Sequence, residues 1–213
     1  VDVSAVRREI EAAVRHESET GTLRSIIERA LAKAGSGGEA RAAEEGVAAI
    51  RSFVEGAPTV IEATIHAAEE AGVVEQVRPI FETALSYMHE SGDFIPDGLG
   101  LAGMLDDAYL IYGLMQEISE RHRILTGKSL LPSGVFGQMP EIKRLIGDPT
   151  ATRLDVAIVA FARRQNVKET IEQIVGRIGG RGLTMDLPAN VRMPTERSAL
   201  SALPCLELGS LPG

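Results

Sequence analysis

Between Gly103 and Ile118 the chain is nearly apolar on every side of a helical projection, and this stretch constrains the fold more than any other. Ala108-Tyr109-Leu110-Ile111-Tyr112-Gly113-Leu114-Met115 offers water no polar stripe, so a helix made from it has to be surrounded by other elements. The flanks supply such elements. Val3, Val6, Ile10, Ala13 and Val14 recur at three- and four-residue spacing, as do Leu23, Ile26, Ile27, Ala30 and Leu31. Further helical patterns are expected over 39–54, 58–72, 73–89, 140–146 and 152–178. Gly35 to Gly38 should end the second helix, and Gly56-Ala57-Pro58 should break the third, with Pro58 opening the next. No segment shows the strict alternation or β-branched clustering of a sheet. The expected fold is all-α: a compact multi-helix bundle with a buried central helix. Its parts would be N-terminal helices over 1–57, a helical core over 58–130, C-terminal helices over 131–180, and an irregular tail over 181–213 that is either docked or mobile. In that tail, prolines interrupt every short apolar run.

Composition narrows the function classes. Of 213 residues 44% are hydrophobic, which is too apolar for a chain disordered throughout. The single cysteine, Cys205, allows neither an internal disulfide nor a cysteine-based zinc site, as expected of a cytoplasmic protein. Thirty acidic against 22 basic residues leave a charge of −8, which argues against a nucleic-acid partner, since neutralising phosphates takes a surplus of Lys and Arg. The acidity lies mainly in residues 1–90, with 16 acidic and 9 basic side chains, and residues 131–213 are mildly basic. No apolar run follows a basic start, so no retained signal peptide is expected.

Two nucleotide-site patterns fail on context. Gly98-Leu99-Gly100-Leu101-Ala102-Gly103 matches the dinucleotide fingerprint in letters, but no strand precedes it, and Asp97, Asp106 and Asp107 would face the pyrophosphate. Gly127-Lys128-Ser129 resembles the end of a P-loop, but His122 stands where the loop needs its first glycine. His16, His66, His89 and His122 form no helical metal-binding pair. Residues 98–115 make a poor membrane span, because two mid-span carboxylates oppose insertion by roughly 2.5–3.5 kcal/mol each. A weak peripheral membrane contact remains compatible with the apolar runs.

The segment Asp93-Phe94-Ile95-Pro96-Asp97-Gly98-Leu99-Gly100-Leu101-Ala102-Gly103-Met104-Leu105-Asp106-Asp107-Ala108 carries a more specific signal. It resembles the central signature of the YkvA-like family, a bacterial domain family of unknown function. The match rests on Asp93, Ile95, Pro96, Asp97, Gly103, Leu105, Asp106 and Asp107, without a gap, over about 16 residues and more loosely over 60–125. Ser91, Gly92 and Gly100 depart from the family's pattern. The resemblance implies a small helical domain, sometimes membrane-associated, with no established reaction.

Four aspartates at fixed spacing in the least polar part of the chain admit two uses. As structural groups they would accept hydrogen bonds from free N–H groups at helix starts, or pair with Arg78, Arg121 or Arg123. As ligands, Asp93, Asp97, Asp106 and Asp107 would offer hard oxygens to Mg²⁺ or Ca²⁺, and a bound metal would activate water for hydrolysis. No catalytic triad or nucleophile elbow accompanies them, so the expected function is a non-enzymatic interaction or regulatory protein that binds a protein partner or itself. A metal-dependent hydrolase and a peripheral membrane protein are the alternatives. Leu200, Leu203, Leu206, Leu208 and Leu211 of the tail are candidates to fill a groove of this domain or of a partner.

Overall fold

A computed structural model describes residues 2–35, 39–90, 94–132, 134–180, 182–185, 187 and 199–211, with the side chains of 39, 86–90 and 97 left aside. Among the described residues the chain is all-α, with eight helices and no strand. These are α1 (Ser4–Thr20), α2 (Thr22–Ala34), α3 (Glu39–Glu70), α4 (Val74–Glu90), α5 (Leu105–Thr126), α6 (Met139–Ile146), α7 (Thr150–Arg164) and α8 (Val167–Arg177). Short 3₁₀ turns lie at Asp97–Ala102, Ala199–Ala202 and Leu208–Ser210.

The all-round apolar stretch forms the first four turns of α5, and the other helices pack around it. Leu105, Ala108, Ile111, Tyr112, Leu114, Met115 and Ile118 are all buried, against α3 on one side and α6, α7 and α8 on others. Gly113 makes room for the Ile158 side chain of α7, since a Cβ there would lie 2.2 Å from Ile158 Cδ1.

The break expected at Gly56-Ala57-Pro58 does not occur. Glu39–Glu70 is one helix with Pro58 inside it, so the boundary expected between 57 and 58 falls mid-helix. Proline there cannot donate to the carbonyl four residues earlier. Ile50, Phe53, Val54, Ala57, Val60 and Ile61, on both sides of it, share one buried face. Continuous burial of that face outweighs one lost backbone bond. Gly56 also has a packing role: a Cβ would meet the Tyr112 hydroxyl at 2.5 Å.

Tyr112 stacks on Phe53 with ring centroids 4.5 Å apart, and its buried hydroxyl has no hydrogen-bond partner among the described residues. Burial drives its pKa well above the usual phenol range. A buried hydroxyl without a partner costs about 1–3 kcal/mol. Tyr112→Phe is therefore expected to raise stability by about 1 kcal/mol, after allowance for the small void it leaves. Equilibrium urea unfolding measures this, and a destabilised Phe variant would contradict the reading.

The joint between α1 and α2 uses a residue without a local sequence signature. Glu17 is buried, and its carboxylate accepts from the N–H groups of Leu23 (2.8 Å) and Arg24 (3.1 Å). A negative charge in the last turn of α1 is unfavourable for that helix, but it sits at the positive end of α2 and satisfies two of its free donors.

The tail expected to be irregular is docked where it is described. Leu200, Leu203, Leu206 and Leu208 are buried in contact with the same core as the helices. The Arg144 guanidinium donates to the Leu200 and Leu203 carbonyls, and Leu206 N–H donates to Leu145 O (2.9 Å). Leu211 remains partly exposed, and residues 188–198 lie outside the described part.

Candidate functional site

The aspartate segment folds as a short connection that enters α5, and the structure gives its members different positions. Asp93 and the side chain of Asp97 lie outside the described residues. Asp106 stands in the first turn of α5 and is only 3% exposed. One of its oxygens, Oδ2, accepts from both Phe94 N–H and Ile95 N–H at 3.0 Å, and Oδ1 accepts from Asp107 N–H at 3.1 Å. A carboxylate at the positive end of a helix, saturated by backbone donors, ties the incoming chain to the helix start. Asp107, beside it, is half-buried.

Two of the cations considered as partners for these aspartates pair with glutamates: Arg78 with Glu75, and Arg123 with Glu120. Gly100 takes φ +59° and ψ −120°, a conformation that needs glycine, and a Cβ there would meet His16 Cδ2 at 2.7 Å. The 3₁₀ turn of this segment packs against α1, α2 and α3, and Phe94 lies under the Arg153 guanidinium of α7 at 5.3 Å. Among the described residues no group of three or more His, Cys, Asp or Glu side chains converges as a metal ion requires. No helix among them is long and apolar enough to cross a membrane.

His122, read as a scattered histidine, joins three segments. It is 2% exposed. Nε2 accepts from Leu183 N–H at 2.9 Å, which leaves the ring proton on Nδ1 to donate to Lys128 O at 3.0 Å. Burial lowers its pKa, opposed in part by the bond to Lys128. Met185 N–H donates to Leu130 O alongside, so 183–185 runs against the loop that follows α5. No motif marks this role, since the partners are backbone groups up to 61 residues away.

A crevice of about 460 Å³ opens between α5, α7 and the 129–139 loop. One end is built by Tyr109, whose hydroxyl donates to Asp155 Oδ1 at 2.8 Å, while Lys143 of α6 donates to Asp155 Oδ2. Burial and the adjacent Asp155 carboxylate push the Tyr109 pKa well up. At the other end Arg123 binds both oxygens of Glu120 at 2.8 and 2.7 Å. Glu117 and Ser119 also line the crevice, and the buried Ser119 hydroxyl has no hydrogen-bond partner among the described residues. Its wall is apolar, from Leu131, Phe136, Met139 and Ile158. A more open crevice, about 540 Å³, lies between α2 and the docked tail, with Arg29, Lys33, Cys205 and Glu207 on its rim.

Two helices expose large apolar side chains: α5 near its end, with Ile124 and Leu125, and α7 along its outer face. Val156 is 64% exposed and Val159 42%, with Ala160 exposed between them and the end of the helix. Arg163 and Arg164 follow in the last turn, both exposed.

No protein-family model matches this chain, and neither a curated protein nor a solved structure matches it significantly.

Proposed function

We propose that the protein is a cytoplasmic, non-enzymatic interaction protein built around a YkvA-like helical core, and that the outer face of α7 receives an amphipathic helix of a protein partner. The observation that supports this reading is the stripe Val156, Val159 and Ala160 on a helix whose opposite face, Ala151, Leu154 and Ile158, is buried in the core. A helix anchored on one side and apolar on the other leaves surface that water does not favour. Arg163 and Arg164 at the end of the stripe suit a partner with acidic flanks, as charge complementarity steers and orients association. Asp106, His122 and Asp155 are each engaged in holding segments together, which is a structural use of these side chains.

The test compares wild type with Val156→Asp/Ala160→Asp and with a charge change on another face, Arg41→Glu. Both sites are exposed, so the fold is expected to survive, with stability changes within about 1 kcal/mol. Partners recovered by wild type and by the Arg41 variant should be lost from the α7 variant, and a self-associating species seen by light scattering should become monomeric. Equal recovery from all three, with unchanged oligomeric state, would remove the α7 face from consideration.

A further inference from the structure

We propose that the seat of residues 199–211 is a peptide-binding groove, which this segment fills as an intramolecular ligand and yields to a leucine-rich segment of a partner protein. The groove runs over α3, α6 and the start of α7. It is built from residues other than Val156, Val159 and Ala160, so it stands independently of the outer face of α7.

The host surface reads the segment through its backbone and its leucines together. Gly46 of α3 opens a hole for Leu203, because a Cβ there would lie 2.7 Å from Leu203 Cδ1. A glycine inside a helix costs backbone entropy relative to alanine, and here the hole is what it provides. Gly147, just past α6, leaves the same room for Cys205 Sγ, at 2.7 Å. The Arg144 guanidinium donates to the Leu200 and Leu203 carbonyls. The Leu145 carbonyl, among the last four of α6, accepts from Leu206 N–H at 2.9 Å. Leu200, Leu203, Leu206 and Leu208 are buried, while Ser201, Ala202, Cys205 and Glu207 between them are exposed. Main-chain groups held by the host, with side chains seated at intervals, are how a groove recognises a peptide.

Three features suit the segment to exchange. It belongs to none of the eight helices, so its release breaks no hydrogen bond within them. Its edge towards α2 is open: the crevice of about 540 Å³ runs along Pro204, Cys205, Leu206, Glu207 and Leu211, and gives a competing chain a place to begin. Glu207 holds φ +51° and ψ +42°, a left-handed backbone that a non-glycine residue adopts at a cost. A partner with the same leucine spacing and glycine in place of Glu207 is therefore the better occupant.

Fluorescence anisotropy with the full chain and a labelled peptide of sequence 199–211, carrying Cys205→Ser to prevent a disulfide, tests this. In Leu203→Asp/Leu206→Asp the chain's own segment cannot dock. That protein should bind the peptide at least about 10-fold tighter than wild type, since only molecules with an open groove bind. Adding Arg144→Ala to it should weaken the peptide about 10-fold, through lost charge-assisted hydrogen bonds. A peptide that also carries Glu207→Gly should bind about 5-fold tighter. Amide exchange of wild type needs no variant: Leu206 N–H should exchange through an opening that leaves Ile118 N–H of α5 protected. The proposal is overturned if the double variant binds the peptide no better than wild type, or if it loses its helical circular dichroism, which would make the segment part of the core. It is equally overturned if Arg144→Ala or the glycine peptide changes nothing, or if Leu206 and Ile118 exchange only together. A wild-type dimer that becomes monomeric in the double variant would make a second copy the occupant and overturn it too. The α7 face is read separately, by Val156→Asp/Ala160→Asp.

Discussion

Replacing Asp106 by alanine is expected to lower the unfolding free energy by about 3 kcal/mol, the larger of two losses forecast from single side chains. Its carboxylate accepts from Phe94 N–H, Ile95 N–H and Asp107 N–H, and the residue is 97% removed from solvent. Hydrogen bonds to a charged acceptor contribute about 1.5–3 kcal/mol each, while part of the loss is offset because released N–H groups reach water once the connection loosens. For a chain of this size 3 kcal/mol corresponds to about 6–12 °C in Tm. Asp106→Asn keeps one acceptor oxygen and should lose roughly half as much. The defect should be local in origin: amide exchange at Phe94 and Ile95 should accelerate before the core of α5 opens. Thermal unfolding and amide exchange measure both effects. An Asp106→Ala protein as stable as wild type, with protected Phe94 and Ile95 amides, would refute the structural assignment of this aspartate.

Acidification is expected to cost stability through His122, with a sign fixed by its hydrogen bonds. In the folded protein Nε2 must stay unprotonated to accept from Leu183 N–H, and burial lowers the folded pKa. The residues lining the small cavity on this side, Thr64, Val77, Ile118, Leu130, Ile171 and Met185 among them, carry no charge that would stabilise an imidazolium. Unfolding frees the ring to take a proton near its ordinary pKa of about 6.5. The unfolded state therefore binds more protons below that pH, so the His122 contribution is complete above about pH 6.5 and declines as pH falls towards the folded pKa. The slope reaches about 1.4 kcal/mol per pH unit for one proton. His122→Phe should abolish this component of the pH dependence, while costing about 2 kcal/mol at neutral pH for the two backbone groups left without partners. Urea unfolding from pH 5 to 8 on both proteins measures the difference. Parallel profiles would show that the ring is not held neutral.

Several elements are legible in the sequence, and the reason is periodicity. The spacing of Val6, Ile10 and Ala13, or of Leu23, Ile26, Ile27 and Leu31, places buried residues on one face because burial and the helical repeat are the same constraint. The all-round apolar run forms buried α5 for the same reason. The third helix runs past the break that Gly56 and Pro58 signal, because those are local signals, whereas the matching apolar faces on either side of them act only when packed. The aspartate segment was visible as an anomaly, carboxylates in apolar surroundings, but the identity of their donors was not. Asp106 bonds to amides 11 and 12 residues away, and backbone amides leave no trace in residue identity.

The same limit explains what was missed. Glu17 looks like any surface acid at the end of a helix, and its role appears only when α2 turns its N-terminus towards it. Tyr109, Asp155 and Lys143 come from three helices, so their convergence depends on how α5, α6 and α7 pack together.

The sequence alone determined the all-α class, the amphipathic faces and the buried course of α5, because each follows from side-chain hydrophobicity repeating along a helix. Only the tertiary structure decided that α3 runs through its proline, that the leucines of residues 199–208 pack into their own domain's core, and that Tyr109 and Asp155 meet at an open crevice. Those outcomes depend on which helix ends and faces meet, and long-range hydrogen bonds and close packing are settled in three dimensions, where sequence separation carries little information.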